Sequence, residues 1–235
     1  MNKRKIIIEG IVIVVSILLA FGIDAMWDEY KERKAEQEVL ASLKIEFEAS
    51  LRELELVFGY HENARQSMNA LFDMSDEEIR ELDQQARSQM VMDMCNPWSF
   101  YPVLGTTNAL LGAGDLDILE DRKLREALTS YLTIVEDSIE DIEYVGHDAE
   151  RLWAAEIEVG GPWIDRSTEV GIAGHVIMAP DFISKPTADD LLRIRENKLL
   201  RGIIARCHIN IGYYGAELQR LRDGANRVLE QIAEN

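Results

Sequence analysis

The chain is poor in cysteine, with two in 235 residues. At most one internal disulfide can form, which excludes a small domain held together by disulfides. It is also poor in basic charge: 25 Lys and Arg stand against 43 Asp and Glu, for a formal charge of −18. Nucleic-acid binding needs a basic footprint, so that class of partner is excluded. No Asn-x-Ser/Thr acceptor occurs, which argues against a eukaryotic secretory protein. Nucleophile motifs of the Gly-x-Ser-x-Gly and Ser-x-x-Lys kinds are missing. The four histidines His61, His147, His175 and His208 contain no pair at i,i+3 or i,i+4, so no helical metal motif exists. The sequence therefore assigns no catalytic residue, no metal and no cofactor. What it does have is 47% apolar residues, enough for a core and too many for a disordered chain.

The apolar residues are concentrated first in Ile6–Ile23, IIIEGIVIVVSILLAFGI. Only Glu9, Gly10, Ser16 and Gly22 interrupt this run. As a helix it is about 27 Å long, against a hydrocarbon layer of ~30 Å. Lys3, Arg4 and Lys5 precede it, and Asp24, Asp28 and Glu29 follow it. The positive-inside rule then puts the N-terminus in the cytoplasm and residues 24–235 outside. Trp27 and Tyr30 stand where aromatic anchors are wanted. The run is longer than a usual signal-peptide core, so an uncleaved anchor is expected. These features predict a bacterial inner-membrane protein with a cytoplasmic stub and span at 1–23 and a periplasmic domain at 24–235.

Beyond the span the spacing is helical. Leu40, Phe47, Leu54, His61 and Met68 interleave with Leu43, Val57, Ala64 and Leu71 in heptad steps, with Ser50 the polar break. No proline falls between Asp24 and Met74, so the membrane helix is expected to continue as a stalk. Ser75-Asp76-Glu77-Glu78 has the form of a capping box and predicts a second helix running to Cys95. A third helix starts near Asp117 or Asp121 and carries Leu124, Leu128, Tyr131, Val135, Ile139, Ile142, Val145, Ala149 and Leu152, ending by Gly160-Gly161-Pro162. Thr187 opens the next helix. The last helix has Leu200, Cys207, Tyr214, Leu221 and Val228 between Ile204, Ile211, Leu218, Ala225 and Ile232. The predicted fold is all-α, an N-terminal transmembrane helix continuing into an antiparallel helical bundle. A small hairpin around 174–183 is the one place for strands.

All five prolines lie in two connections, 96–115 and 159–186. These carry Trp98, Phe100, Tyr101, Asp115 and Trp163 as candidate binding-loop residues. The same aromatics could equally plug the ends of the bundle. Gly112 and Gly114 read as a helix stop before Asp115. Within the span, Glu9, Ser16, Ala20 and Asp24 share roughly one helix face. Ser16-x-x-x-Ala20 is a small-xxx-small spacing that lets a second helix approach. Glu9 either joins that contact or snorkels to the interface beside Lys5. Cys95 and Cys207 either pair or remain buried thiols. Met90 and Met94 share a helix face, as core packing requires.

The stretch KIIIEGIVIVVSILLAFGIDAMWDE, Lys5 to Glu29, with the charged run that follows to Phe47, resembles an uncharacterised family of bacterial single-pass membrane proteins, a domain of unknown function. Leu110-Leu111-Gly112-Ala113-Gly114-Asp115-Leu116, followed by Leu124-Arg125, is similar to a second block of that family. The resemblance implies a membrane-anchored helical protein and no catalytic residue.

Two functions are expected on these grounds. The first is a non-enzymatic interaction or assembly module whose partners are the lipid bilayer and either a second copy or another membrane protein. The alternative is a periplasmic bundle that binds or senses a small ligand and signals through a membrane partner.

Overall fold

The computed structural model describes residues 3–95, 98–159, 171–172, 175–176 and 185–235. Within these, the side chains of residues 3–12, 95, 156, 157 and 159 and of the two short strands lie outside the described set. Among the described residues the protein is all-α, seven helices packed as a bundle: α1 (Lys3–Asp73), α2 (Asp76–Glu81), α3 (Gln84–Cys95), α4 (Gly105–Ala113), α5 (Arg122–Val159), α6 (Ala188–Glu196) and α7 (Lys198–Glu234). A two-residue antiparallel pair, Gly171–Ile172 with His175–Val176, makes the only strands among the described residues. Its second strand falls inside the expected hairpin at 174–183, the rest of which lies outside the described residues.

The core is the predicted set of seams. On α1, Leu43, Phe47, Leu54, Val57, Ala64, Met68 and Leu71 are buried, and so are the polar Ser50 and His61 in the same registers. On α7, every predicted position from Leu200 to Val228 is buried. α5 and α7 pack antiparallel along their lengths, with Asp137 near Arg220 and Asp121 near Asn235. The helices approach closely at Gly224, where a Cβ would stand 3.0 Å from Tyr131 Cδ2. Tyr131 in turn meets Phe47 edge-on at 5.0 Å, joining α5 and α7 to α1.

The stripe on α5 differs from expectation at one place. Ile139 is 52% exposed, and Ser138 is buried in its stead. The 3–4 alternation runs 131, 135, 138, 142, so the regular heptad position belongs to the serine. Ser138 Oγ donates to the Val135 carbonyl at 2.8 Å, which makes its burial affordable.

The expected second helix is two. The capping box forms as predicted: Glu78 N–H donates to Ser75 Oγ at 3.2 Å and Ser75 N–H to Glu78 Oε2 at 2.7 Å. The chain then leaves helical geometry at Leu82, and Asp83 starts α3 by accepting from Ala86 N–H at 2.7 Å. Thr187 and Asp190 form the corresponding box on α6. Met90 and Met94 on α3 are core side chains.

α4 was not anticipated. It lies inside the connection at 96–115, and its preceding residue, Leu104, has no capping side chain. The cap comes instead from Glu46 on α1, which is 5% exposed. Glu46 accepts from Thr106 N–H at 2.5 Å, from Thr107 N–H at 3.1 Å and from Thr107 Oγ1 at 2.5 Å. A carboxylate on the first free N–H groups of a helix is favoured by both hydrogen bonding and the helix dipole. The far end of α4 is the predicted glycine stop. Gly114 takes φ +76°, its N–H donates to the Leu111 carbonyl, and Asp115 N–H donates to the Leu110 carbonyl.

α1 is 71 residues long and only its second half belongs to the bundle. Every described residue from Ile13 to Ala35 is exposed. No helix among the described residues is long and apolar enough to cross a membrane. Residues 6–12 of the expected span have side chains outside that set.

Replacing Glu46 by Ala leaves three donors at the start of α4 without an acceptor, and is expected to cost about 2–3 kcal/mol. Glu46→Gln keeps one acceptor oxygen and should cost less. Urea denaturation of both variants checks this; two equal losses would mean that the carboxylate does not cap α4.

Candidate functional site

Three places carry unusual chemistry: the projecting part of α1, the segment before α4, and a groove between α5 and α7.

The projecting part of α1 carries apolar side chains all round. Ile13, Val14, Val15, Ile17, Leu18, Leu19, Phe21 and Ile23 are all exposed, and at 100° per residue they cover every face of the helix. Trp27 and Tyr30 follow, stacked at 5.7 Å, with Lys31 Nζ 5.7 Å from the Trp27 ring. Ser16, Ala20 and Asp24 lie exposed on this part. The Glu9 side chain falls outside the described residues.

The segment 98–103 has no regular secondary structure and lies along α1, tied down by buried polar side chains. His61 Nε2 is 2.7 Å from the Trp98 carbonyl. A carbonyl only accepts, so Nε2 carries the proton. Phe100 N–H donates to Tyr214 Oη at 3.0 Å. Val103 N–H donates to Ser50 Oγ at 3.1 Å, and Ser50 Oγ lies 3.3 Å from the Val103 carbonyl. The lengths are compatible: Ser50 to His61 is about 16–17 Å of helix, and Trp98 to Val103 can span about 16–17 Å when fully extended. The polar members of the α1 seam are thus the partners of a strap of backbone that would otherwise be buried without hydrogen bonds.

The candidate loop residues divide accordingly. Phe100 is buried in the core, and Trp98 is half-buried against it, its ring stacked on Tyr60 at 4.8 Å. Tyr101 is exposed, and Asp115 is an exposed turn residue after α4. Trp163 lies outside the described residues. The structure therefore brings Trp98 and Phe100 together with His61 and Tyr214, and leaves Tyr101 and Asp115 on the surface. Cys207 is a free, buried thiol, pushed up to about 12 mainly by burial, with Asp148 adding to the effect. The Cys95 side chain lies outside the described residues. Among the described residues no group of three His, Cys, Asp or Glu side chains could hold a metal ion.

The third place was missed from the sequence. Asp148, 3% exposed, sits on α5 between Val145 and Leu152, on the edge of the stripe. It forms an ion pair with Arg206 and accepts from Asn210 Nδ2 at 2.6 Å, both on α7. One carboxylate among 43 acidic residues gives no signal. The trace, visible in retrospect, is an Arg and an Asn at i,i+4 on the facing helix.

No family model, no curated protein and no solved structure matches the chain. The resemblance of the N-terminal and 110–116 blocks to an uncharacterised membrane family therefore finds no support there, and the all-helical bundle is what stands.

His61 supplies a pH test of the strap. Burial holds its imidazole below the ordinary 6.5, outweighing the bond to Trp98 that works the other way. The unfolded chain then binds more protons than the folded one below about 6.5, so the His61 contribution is full above that pH and shrinks as pH falls. The stability gap between the parent and His61→Gln is expected to narrow between pH 7.5 and 5.5. A gap that stays constant in denaturation curves at both values would contradict a neutral, buried His61.

Proposed function

We propose that the chain is a single-pass membrane-anchored assembly module of a bacterial inner membrane. The N-terminal part of α1 lies in the bilayer with its basic end in the cytoplasm, and the bundle stands in the periplasm. One observation carries this reading: the helix exposes large apolar side chains on every face from Ile13 to Ile23 and covers no core with them. Exposed apolar area of this extent needs an apolar surrounding. The basic residues Lys3, Arg4 and Lys5 before it, and the Trp27–Tyr30 stack after it, are placed as interface anchors would be.

The assembly part of the proposal rests on the same helix and on the bundle surface. Ser16 and Ala20 offer a small-residue face, with Glu9 and Asp24 on the same side, where a second copy or another membrane protein could pack. Ile45 and Leu56 on α1 and Tyr101 and Val103 on the strap are also exposed apolar side chains. The lack of nucleophile and metal motifs favours an interaction role over catalysis. A ligand-responsive role draws on a different place, the groove between α5 and α7.

Two measurements test the proposal. The full-length chain expressed in a bacterium should stay in the membrane pellet through alkaline carbonate, while a Leu18→Lys, Leu19→Lys double variant should be released. Extraction of the parent would remove the anchor. In mild detergent the native mass should exceed one 26.7 kDa chain after subtraction of detergent. Ala20→Leu should shift it toward the monomer, and a monomeric parent with nothing attached would remove the stable-assembly role.

A further inference from the structure

The groove between α5 and α7 has a volume of about 480 Å³, within the range of small-molecule sites. Its lining follows from the antiparallel register. Asp137 lies 3.7 Å from Arg220, and Asp148 lies 2.6 Å from Asn210, so each step up α5 is a step down α7. On that register Tyr144 stands opposite Tyr213, Asp148 opposite Asn210, and Arg151 opposite Arg206. All six line the groove. It is a ladder of three rungs: two aromatic rings, a buried polar pair, and two guanidiniums.

The arginine rung is electrostatically incomplete. Arg151 and Arg206 line the same end of the groove, and Asp148 answers only one of these two like charges, through its ion pair with Arg206. Arg206 Nε is buried without a hydrogen-bond partner. Arg151 is exposed and has no ion-pair partner among the described residues. An arginine with no ion-pair partner among the described residues, beside a second arginine in the same lining, is a place where an anion is wanted. The tyrosine rung has the opposite character. Tyr144 and Tyr213 are 52% and 66% exposed, an apolar surface that no described residue covers. Asp141, also in the lining, lies toward this end with Glu140 and Glu217 acting on it. The groove is thus polarised along its length, repelling an anion at one end and attracting it at the other.

We propose that this groove binds a small aromatic carboxylate, with its ring at Tyr144 and Tyr213 and its carboxylate at Arg151 and Arg206. Arginine suits the anion because its planar fork matches a carboxylate, and the exposed rings give the apolar body a surface to lie on. Asp148 and Asn210 act as positioning residues that hold Arg206 against the floor. The competing account is that the Asp148–Arg206–Asn210 network does nothing beyond fixing the register of the two helices.

The test uses the full-length chain in detergent micelles and three probes: 3-phenylpropionate, its neutral amide, and propionate. Isothermal titration should show saturable binding of 3-phenylpropionate, with the amide and propionate at least tenfold weaker. Arg151→Gln should weaken 3-phenylpropionate at least tenfold, and Tyr213→Ala severalfold. Both residues are exposed, so neither change should move the melting temperature of the ligand-free chain. Arg151→Gln in the same micelles also separates the groove from partition of the probe into detergent. Equal affinity for acid and amide would overturn the role of the arginines. No saturable binding of 3-phenylpropionate, or variants that bind as the parent does, would overturn the site and leave the register account standing. None of these results bears on whether the chain remains in carbonate-washed membranes, so the anchor and the groove succeed or fail separately.

Discussion

A backbone laid against a bundle must find partners for the N–H and C=O groups it turns away from water, and the structure depends on how that need is met. The strap at 98–103 cannot pair with itself as a helix does. Its partners are His61, Ser50 and Tyr214, and the helix it leads into is started by Glu46. Three of these four side chains come from one face of α1. The long helix therefore does two things with a single seam. Its apolar members exclude water, and its few polar members fasten a second layer of chain. The two layers meet at Phe100, whose ring is in the core and whose N–H is held by Tyr214.

This arrangement explains what could be read from the sequence. Heptad spacing on α1 and α7 was legible because it repeats, and Ser50 and His61 were legible as exceptions to it. Their role was not, since the partner is a backbone carbonyl or N–H that any residue supplies. α4 escaped notice for the same reason: its cap is Glu46, about sixty residues earlier, and local pattern sees only Leu104. The two capping boxes and the Gly114 stop were legible because donor and acceptor lie within a few residues of each other. The Ile139 and Ser138 exchange shows the limit of reading by hydrophobicity. Geometry assigns the inward position by spacing, and a serine that can bond its own helix fills it.

The candidate sites divide along the same line. The apolar run and its flanking charges are contiguous, so they were visible at once. The aromatic connections were visible too, but their large rings turn out to serve packing at Trp98 and Phe100. The groove between α5 and α7 is assembled from residues more than fifty positions apart, and each of its side chains is ordinary by itself. Only the antiparallel register sorts them into an aromatic end and a cationic end.

The unbroken course of α1 has a mechanical consequence. The helix is 71 residues long, about 107 Å, and the same rod that projects also supplies the seam to which the strap and α7 are attached. No loop intervenes that could absorb a rotation. A tilt of about 5° about its projecting end would sweep the far end of α1 sideways by roughly 9 Å and carry the whole bundle with it. The rod acts as a lever, converting small angular changes at its base into displacements as wide as a helix.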